Sequence, residues 1–120
     1  MREQPQIQTA IPKHRYQIGD YAASLLGEIE SGDSRAYRYI LAFVPLGRKE
    51  PDLYVCAELA PPADREAGAG AYRLRILSET LSEVLDTGDQ WGDLETFASQ
   101  ALKLGAQALG LQREQVVQLM

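Results

Sequence analysis

The sequence is poor in the residues that carry disulfide, metal and acid–base chemistry. It holds one cysteine, Cys56, and one histidine, His14. Neither an intramolecular disulfide nor a cysteine–histidine zinc cluster can form, which excludes a disulfide-rich secreted scaffold. Basic residues are in the minority, because 12 Lys and Arg stand against 17 Asp and Glu and the formal net charge is −5. Nucleic-acid modules usually need a basic face, so this balance predicts no nucleic-acid partner.

Long apolar runs are absent as well. The strongest run, over residues 39–47, falls far short of the roughly 20 residues that a membrane-spanning helix needs. The polar residues 1–15 contain no apolar stretch of the kind found in a signal peptide. The sequence therefore predicts a cytoplasmic protein without a membrane partner.

The remaining composition is that of a folded domain. The chain has 120 residues, of which 45% are hydrophobic and 24% are charged, and a typical domain has about 100–150 residues. Residues 1–15 combine Gln, Pro, Lys and Arg with isolated apolar residues. We interpret them as a loose N-terminal arm, followed by a single α+β domain over residues 16–120.

Four segments alternate apolar and polar residues with the period of two that is typical of strands. They cover residues 16–30, 35–46, 53–60 and 71–77. Short turns join the first three segments, which predicts an antiparallel meander. The outward charges follow the order acid, base, acid, base, so that Arg38 and Glu58 are expected opposite each other on one face of the sheet.

A long helix is predicted after the strands. Asp93 suits the N-cap position and Gly110 suits the C-terminal stop, with apolar residues at helical spacing between them. For residues 78–87 the pattern fits both helix and strand, and we favour an irregular or short helical segment. Residues 111–120 are predicted as a short helical tail. The expected fold is thus α+β, a four-stranded antiparallel meander sheet (β-β-β-β-α) packed on one long C-terminal helix.

The candidate catalytic and metal-binding residues do not form a recognisable constellation. His14 lies in the predicted arm, whereas a general base must be held rigidly near its proton. Cys56 has Glu58 two residues along the same strand face, and a carboxylate disfavours the thiolate. The acidic residues between Glu79 and Glu95 lack EF-hand spacing and suit a helix N-terminus instead. We predict no catalytic residue, no metal and no cofactor.

An enzyme remains the third hypothesis. Asp20, Glu28 and Glu58 could supply acid–base chemistry if two carboxylates were buried together. Most of these groups have an arginine neighbour in the expected register, which favours structural ion pairs. The sequence therefore speaks against an enzyme unless two such carboxylates meet without an arginine.

The leading functional hypothesis is a non-enzymatic protein-interaction or adaptor domain, either with a protein partner or as a homodimer. It rests on surplus apolar residues that are expected on the second face of the sheet. These residues are Ile18, Ala22, Leu26, Ile40, Ala42 and Val44.

The alternative hypothesis is a small-molecule-binding domain with an apolar pocket between sheet and helix. Tyr37, Tyr39 and Tyr54 would supply polar handles there, and Trp91 would close the junction before the long helix. A closed cavity of about 300 Å³ or more would favour this hypothesis over the interaction domain.

Overall fold

A computed structural model describes residues 4–33 and 35–120 of the chain. Its elements, in chain order, are β1 (Ile7–Ile18), β2 (Tyr21–Ser31), β3 (Tyr37–Pro45), β4 (Leu53–Leu59), α1 (Pro62–Glu66), β5 (Tyr72–Ser78), β6 (Ser82–Gly88), a 3-10 turn (Asp89–Gly92), α2 (Leu94–Leu109) and β7 (Val116–Gln118).

The seven strands form one antiparallel sheet in the order β6-β5-β4-β3-β2-β1-β7. Six consecutive strands form a meander, and β7 returns to pair with the outer edge of β1. The predicted number of four strands is wrong, although the α+β class and the antiparallel meander are retained.

The additional strands lie where the apolar alternation is weak or interrupted. Residues 16–30, predicted as one strand, are divided by a tight turn at Gly19, whose φ of +54° lies in the left-handed region. Residues 7–15, placed in the loose arm, belong to β1. Their pairing with β2 contains register shifts that break the period of two. The arm interpretation is therefore wrong from Ile7 onward.

The two segments predicted as helical or irregular are also strands. Residues 82–88 form β6, whose side chains are mostly exposed. In residues 111–120, the helical tail is replaced by turns and by the three-residue strand β7. A strand at a sheet edge needs little apolar alternation, because both of its faces can remain in water.

Helix α2 begins and ends as predicted. The Asp93 carboxylate accepts a hydrogen bond from the backbone N–H of Thr96 at 3.0 Å, which caps the helix N-terminus. Gly110 takes the left-handed conformation at the C-terminus, with φ of +73°. The helix packs on the central strands, and Gly105 faces the ring of Phe43 there.

Both faces of the sheet carry a buried cluster. The helix-side cluster includes Leu41, Phe43, Val55 and Phe97 and fills the space between the sheet and α2. The opposite-face cluster consists of Tyr37, Ile40, Ala42, Tyr54, Cys56 and Leu77.

The cover of the opposite-face cluster comes from the first two strands. Strand β2 pairs with β3 only as far as Leu26, but it continues beside β1 to Ser31. From this outer part of the β1–β2 pair, Ile7 and Ile29 pack against the opposite-face cluster. The apolar surplus expected on this face is thus covered in part by the chain's own N-terminal strands. One member of the expected set, Ile18, lies in the helix-side cluster instead.

A bulge in β3 overturns the expected pairing of Arg38 with Glu58. Tyr37 lies opposite Glu58 and Tyr39 opposite Ala57, so Arg38 is an extra residue between them. Arg38 turns to the helix side, where its guanidinium lies 5.0 Å from the centre of the Tyr39 ring. Glu58 lies on the opposite face, so the two charges do not meet.

Candidate functional site

The four residues predicted for a pocket or interface do not share one site. Tyr37 and Tyr54 belong to the opposite-face cluster, whereas Tyr39 and Trp91 belong to the helix-side cluster. The sheet therefore separates them into two pairs. All four side chains are buried, with 6–8% of their surface exposed, which leaves them little area for a ligand.

Three of these four aromatic side chains, Tyr37, Tyr39 and Trp91, contact a named partner inside the fold. Tyr39 stacks on Phe97 with 5.7 Å between ring centres. The indole N–H of Trp91 donates to Asp86 at 3.1 Å. The Tyr37 hydroxyl donates to Asp33 at 2.9 Å. Burial, followed by this hydrogen bond, raises the pKa of Tyr37 above its ordinary value of 10.0.

The interior between sheet and helix is packed. Phe43, Phe97 and Leu41 are fully buried there. Beside it, a groove of about 400 Å³ runs between α2 and the segment that leads to β7. Ile18, Leu102 and Val116 give it apolar walls, while Lys103 and Glu114 add one charge of each sign. This groove opens at the end of α2 and is not the closed central cavity that the sequence-based alternative requires.

The C-terminal edge of the sheet exposes an unusual set of apolar side chains. Val116, Val117, Leu119 and Met120 are exposed by 41%, 46%, 61% and 50%. Val116 and Val117 belong to β7. In the described structure β7 pairs only with β1, so its other side forms the outer edge of the sheet. Because Val116 also lines the groove, the apolar edge and the groove are continuous. We call residues 116–120 together with this groove the β7 edge surface.

Hydrogen bonds to β1 hold this segment in place. The backbone N–H of Leu119 donates to the Arg15 carbonyl at 2.7 Å, and that of Arg15 donates to the Met120 carbonyl at 3.2 Å. The His14 Nδ1 atom lies 3.1 Å from the same Met120 oxygen, and its Nε2 atom lies 3.4 Å from Glu95. His14 thus lies at the junction of β1, β7 and α2, not in a loose arm.

The other exposed edges carry features that discourage strand addition. Strand β6 exposes Val84 and Leu85, but it also carries Glu83 and Asp86, and its pairing with β5 is irregular at this point. The part of β1 that β7 does not cover contains Pro12, which has no backbone N–H to donate. Its pairing with β2 also contains several register shifts. Charges, prolines and bulges are the usual protection of edge strands. Residues 115–120 contain no charged side chain and no proline.

Glu58 forms a second notable feature. The residue is only 3% exposed, and it is the one charged residue that is buried in the described part of the chain. The Arg75 Nε atom donates to its Oε1 at 2.9 Å. Its Oε2 lies 3.6 Å from the Arg35 Nε atom and is buried without a hydrogen-bond partner. A pocket of about 300 Å³ adjoins it, with Arg65 and Arg73 in the wall.

The carboxylates considered for acid–base chemistry lie apart. Asp20 is in the turn between β1 and β2, and Glu28 forms an ion pair with Lys13 at 2.8 Å. This lysine, through its hydrogen bond and its charge, lowers the pKa of Glu28. Glu58 is surrounded by arginines. The condition for the enzyme hypothesis, two carboxylates buried together without an arginine, is not met by these three residues.

The remaining reactive groups have structural surroundings. Cys56 is fully buried, and burial, followed by the charge of Glu58, raises the pKa of its thiol. Asp86 and Asp89 accept hydrogen bonds from Trp91 and from the backbone of Ala71. Within residues 4–33 and 35–120, no three His, Cys, Asp or Glu side chains are grouped closely enough to hold a metal ion. No helix of the described structure has the length and apolar character to cross a membrane.

Sequence reasoning missed both the β7 edge surface and the pocket beside Glu58. The uncharged, apolar run at residues 116–120 was the available signal for the edge. Arg65, Arg73 and Glu58 come together only through the fold. Comparison of the chain with protein-family models, with curated proteins and with solved structures finds no match.

Proposed function

We propose that the chain is a protein-interaction domain that associates with a second copy of itself through β7. One observation carries the proposal, namely the unprotected, apolar and exposed outer edge of this strand. An unpaired strand edge offers a row of backbone N–H and C=O groups to another strand. Two copies would join their sheets by antiparallel pairing of β7 with β7.

The local sequence supports pairing with itself. A two-fold axis at Val117 places Val117 opposite its own copy and Val116 opposite Gln118. The nearest charged side chain, Glu114, then lies opposite the apolar side chain of Met120, so no like-charged side chains face each other. The same operation at β6 would bring several carboxylates close together, which is unfavourable.

The groove extends the surface beyond the strand itself. Residues 116–120 span only about 17 Å, at about 3.4 Å per residue. A stable interface buries about 1,200–2,000 Å² in total. Because Glu114 lines the groove, the pairing described above brings Met120 of the second copy to the groove mouth. An unbranched, flexible apolar side chain suits such a site.

The experiment is a mass measurement by light scattering or sedimentation over a range of protein concentrations. We expect a reversible dimer of twice 13.3 kDa. Val117→Lys places two ammonium groups opposite each other and should give a monomer with an unchanged circular dichroism spectrum. Val84→Lys on β6 is the matched control and should remain dimeric. A wild-type monomer at all concentrations, or a dimer that survives Val117→Lys, would refute the proposal.

A second candidate function is small-molecule binding in the groove, for which the volume of about 400 Å³ is the supporting observation. An apolar fluorescent probe should bind there in the Val117→Lys monomer. Adding Leu102→Lys to this monomer should abolish the binding of the probe. Binding of the probe only when the strand edge is intact would favour the interface alone. Both candidates keep the cytoplasmic location and the absence of a nucleic-acid partner that the sequence predicts.

A further inference from the structure

The pocket beside Glu58 combines positive charge with an unused acceptor. Among its described lining residues, the charged side chains are three arginines, Arg35, Arg65 and Arg73, and one glutamate, Glu58. Arg73 lies directly across from Glu58 in the pairing of β4 with β5. Guanidinium groups match the geometry of phosphate and carboxylate oxygens. The arginines therefore favour an anion in this pocket.

Glu58 restricts the kind of anion. Its Oε1 atom accepts a hydrogen bond from Arg75. Its Oε2 atom is buried and lies 3.6 Å from the Arg35 Nε atom, but it has no hydrogen-bond partner. A buried acceptor without a donor destabilises a fold. A ligand with its own hydroxyl could supply the missing donor, whereas an anion without one would face the negative charge of Glu58 with no proton between them.

The volume and the remaining wall suggest the rest of the ligand. The pocket measures about 300 Å³ and is also lined by Leu59, Pro61 and Pro62. An inorganic ion would leave much of this space empty. An organic substituent could lie against the proline rings while the anionic group faces the arginines.

From these three features we propose that the pocket binds a small phosphate monoester in its singly protonated form. Phosphate oxygens would accept hydrogen bonds from the Arg65 and Arg73 guanidinium groups. The remaining P–OH group would donate to Glu58 Oε2. No bond is made or broken, so this is a binding site and not a reaction centre.

The test is a titration followed by the amide resonances of residues 59–73 at pH 6, near the second pKa of about 6 of a phosphate monoester. Glycerol 3-phosphate, inorganic phosphate and sulfate are the three probes, at matched ionic strength. We expect the ester to bind most tightly and sulfate, which keeps no proton, to bind about tenfold or more weakly. Equal binding of sulfate, or no response to either phosphate, would overturn the proposal.

Variants separate the roles of the two kinds of group. Arg65→Gln lies on an exposed segment and should weaken the binding of both phosphates about tenfold. Arg48→Gln, in the loop between β3 and β4, is the charge-matched control and should leave binding unchanged. Glu58→Gln should bring sulfate close to phosphate in affinity, because an amide N–H can donate to it. If Glu58→Gln fails to fold, the comparison of Arg65→Gln with Arg48→Gln decides alone, and equal effects of these two would refute the site.

Discussion

The close approach of α2 to the sheet at Gly105 can be tested with one added methyl group. A Cβ atom at this position would lie 2.1 Å from Cζ and 2.3 Å from Cε1 of Phe43. The Phe43 ring is fully buried in the helix-side cluster, so it can move only by displacing the side chains packed around it. We therefore expect Gly105→Ala to push the helix and the sheet apart.

The size of the effect follows from two opposing contributions. Carbon atoms in contact lie about 3.5 Å apart or more, so the ring or the helix must move by about 1.4 Å. Overpacking of a core typically costs about 1–3 kcal/mol. Replacing glycine by alanine inside a helix stabilises it by up to about 1 kcal/mol. For a contact this short we expect a net loss of about 1–2 kcal/mol in the free energy of unfolding.

Urea denaturation followed by Trp91 fluorescence and by circular dichroism measures this loss. Ala108→Gly, at an exposed position of the same helix, reports the propensity difference alone and should cost about 1 kcal/mol. When Phe43→Leu is present as well, the smaller side chain should leave room for the methyl group of Gly105→Ala. A double-mutant cycle of these two substitutions should therefore give a coupling energy of about 1 kcal/mol or more. A Gly105→Ala protein as stable as the wild type, or more stable, would contradict the close packing.

Further expectations concern buried and hydrogen-bonded groups. Cys56 should not react with a thiol reagent in the native protein at pH 8 and should react fully in urea, because burial raises the pKa of its thiol and blocks access. Burial opposes ionisation of Asp33, but the backbone N–H groups of Gln6 and Arg35 and the Tyr37 hydroxyl outweigh it, so its pKa is lowered from 3.8. Its stabilising contribution is therefore present above about pH 4 and is lost as the pH falls through the folded-state value, so Asp33→Asn should flatten the acid limb of a stability profile. Rapid labelling of native Cys56, or an unchanged acid limb, would refute these two expectations.

Central strands and the helix were predictable because burial on both sides imposes a pattern on them. The segments corresponding to β3, β4 and β5 were found almost to the residue, and Asp93 and Gly110 marked the ends of α2. Edge strands escaped because water covers much of their surface and tolerates almost any side chain. The split at Gly19 was missed because a two-residue turn with continuous apolar flanks resembles one long strand.

The placement of individual side chains was less predictable than the elements. An extra residue at Arg38 reverses the faces of everything before it in β3, so Tyr37 and Tyr39 lie on opposite sides of the sheet. A sequence pattern contains no direct sign of such a bulge. The alternation of acidic and basic strands predicts arginine partners for Glu58 from both neighbouring strands. Arg75 of β5 is such a partner, whereas on the other side Arg35, which precedes β3, takes the place expected for Arg38.

The attachment of β7 has a consequence for the order of folding events. Tyr16 pairs with Gln118, a separation of 102 residues (118 minus 16), whereas the other strand pairs connect neighbours along the chain. Contacts between distant parts of a chain form slowly, since a large loop must close first. We expect β7 to dock last and to detach as a small unit while the meander stays folded. Its amide hydrogens should exchange faster than those of β3 and β4, and this exchange should slow as rising protein concentration occupies the outer side of the strand.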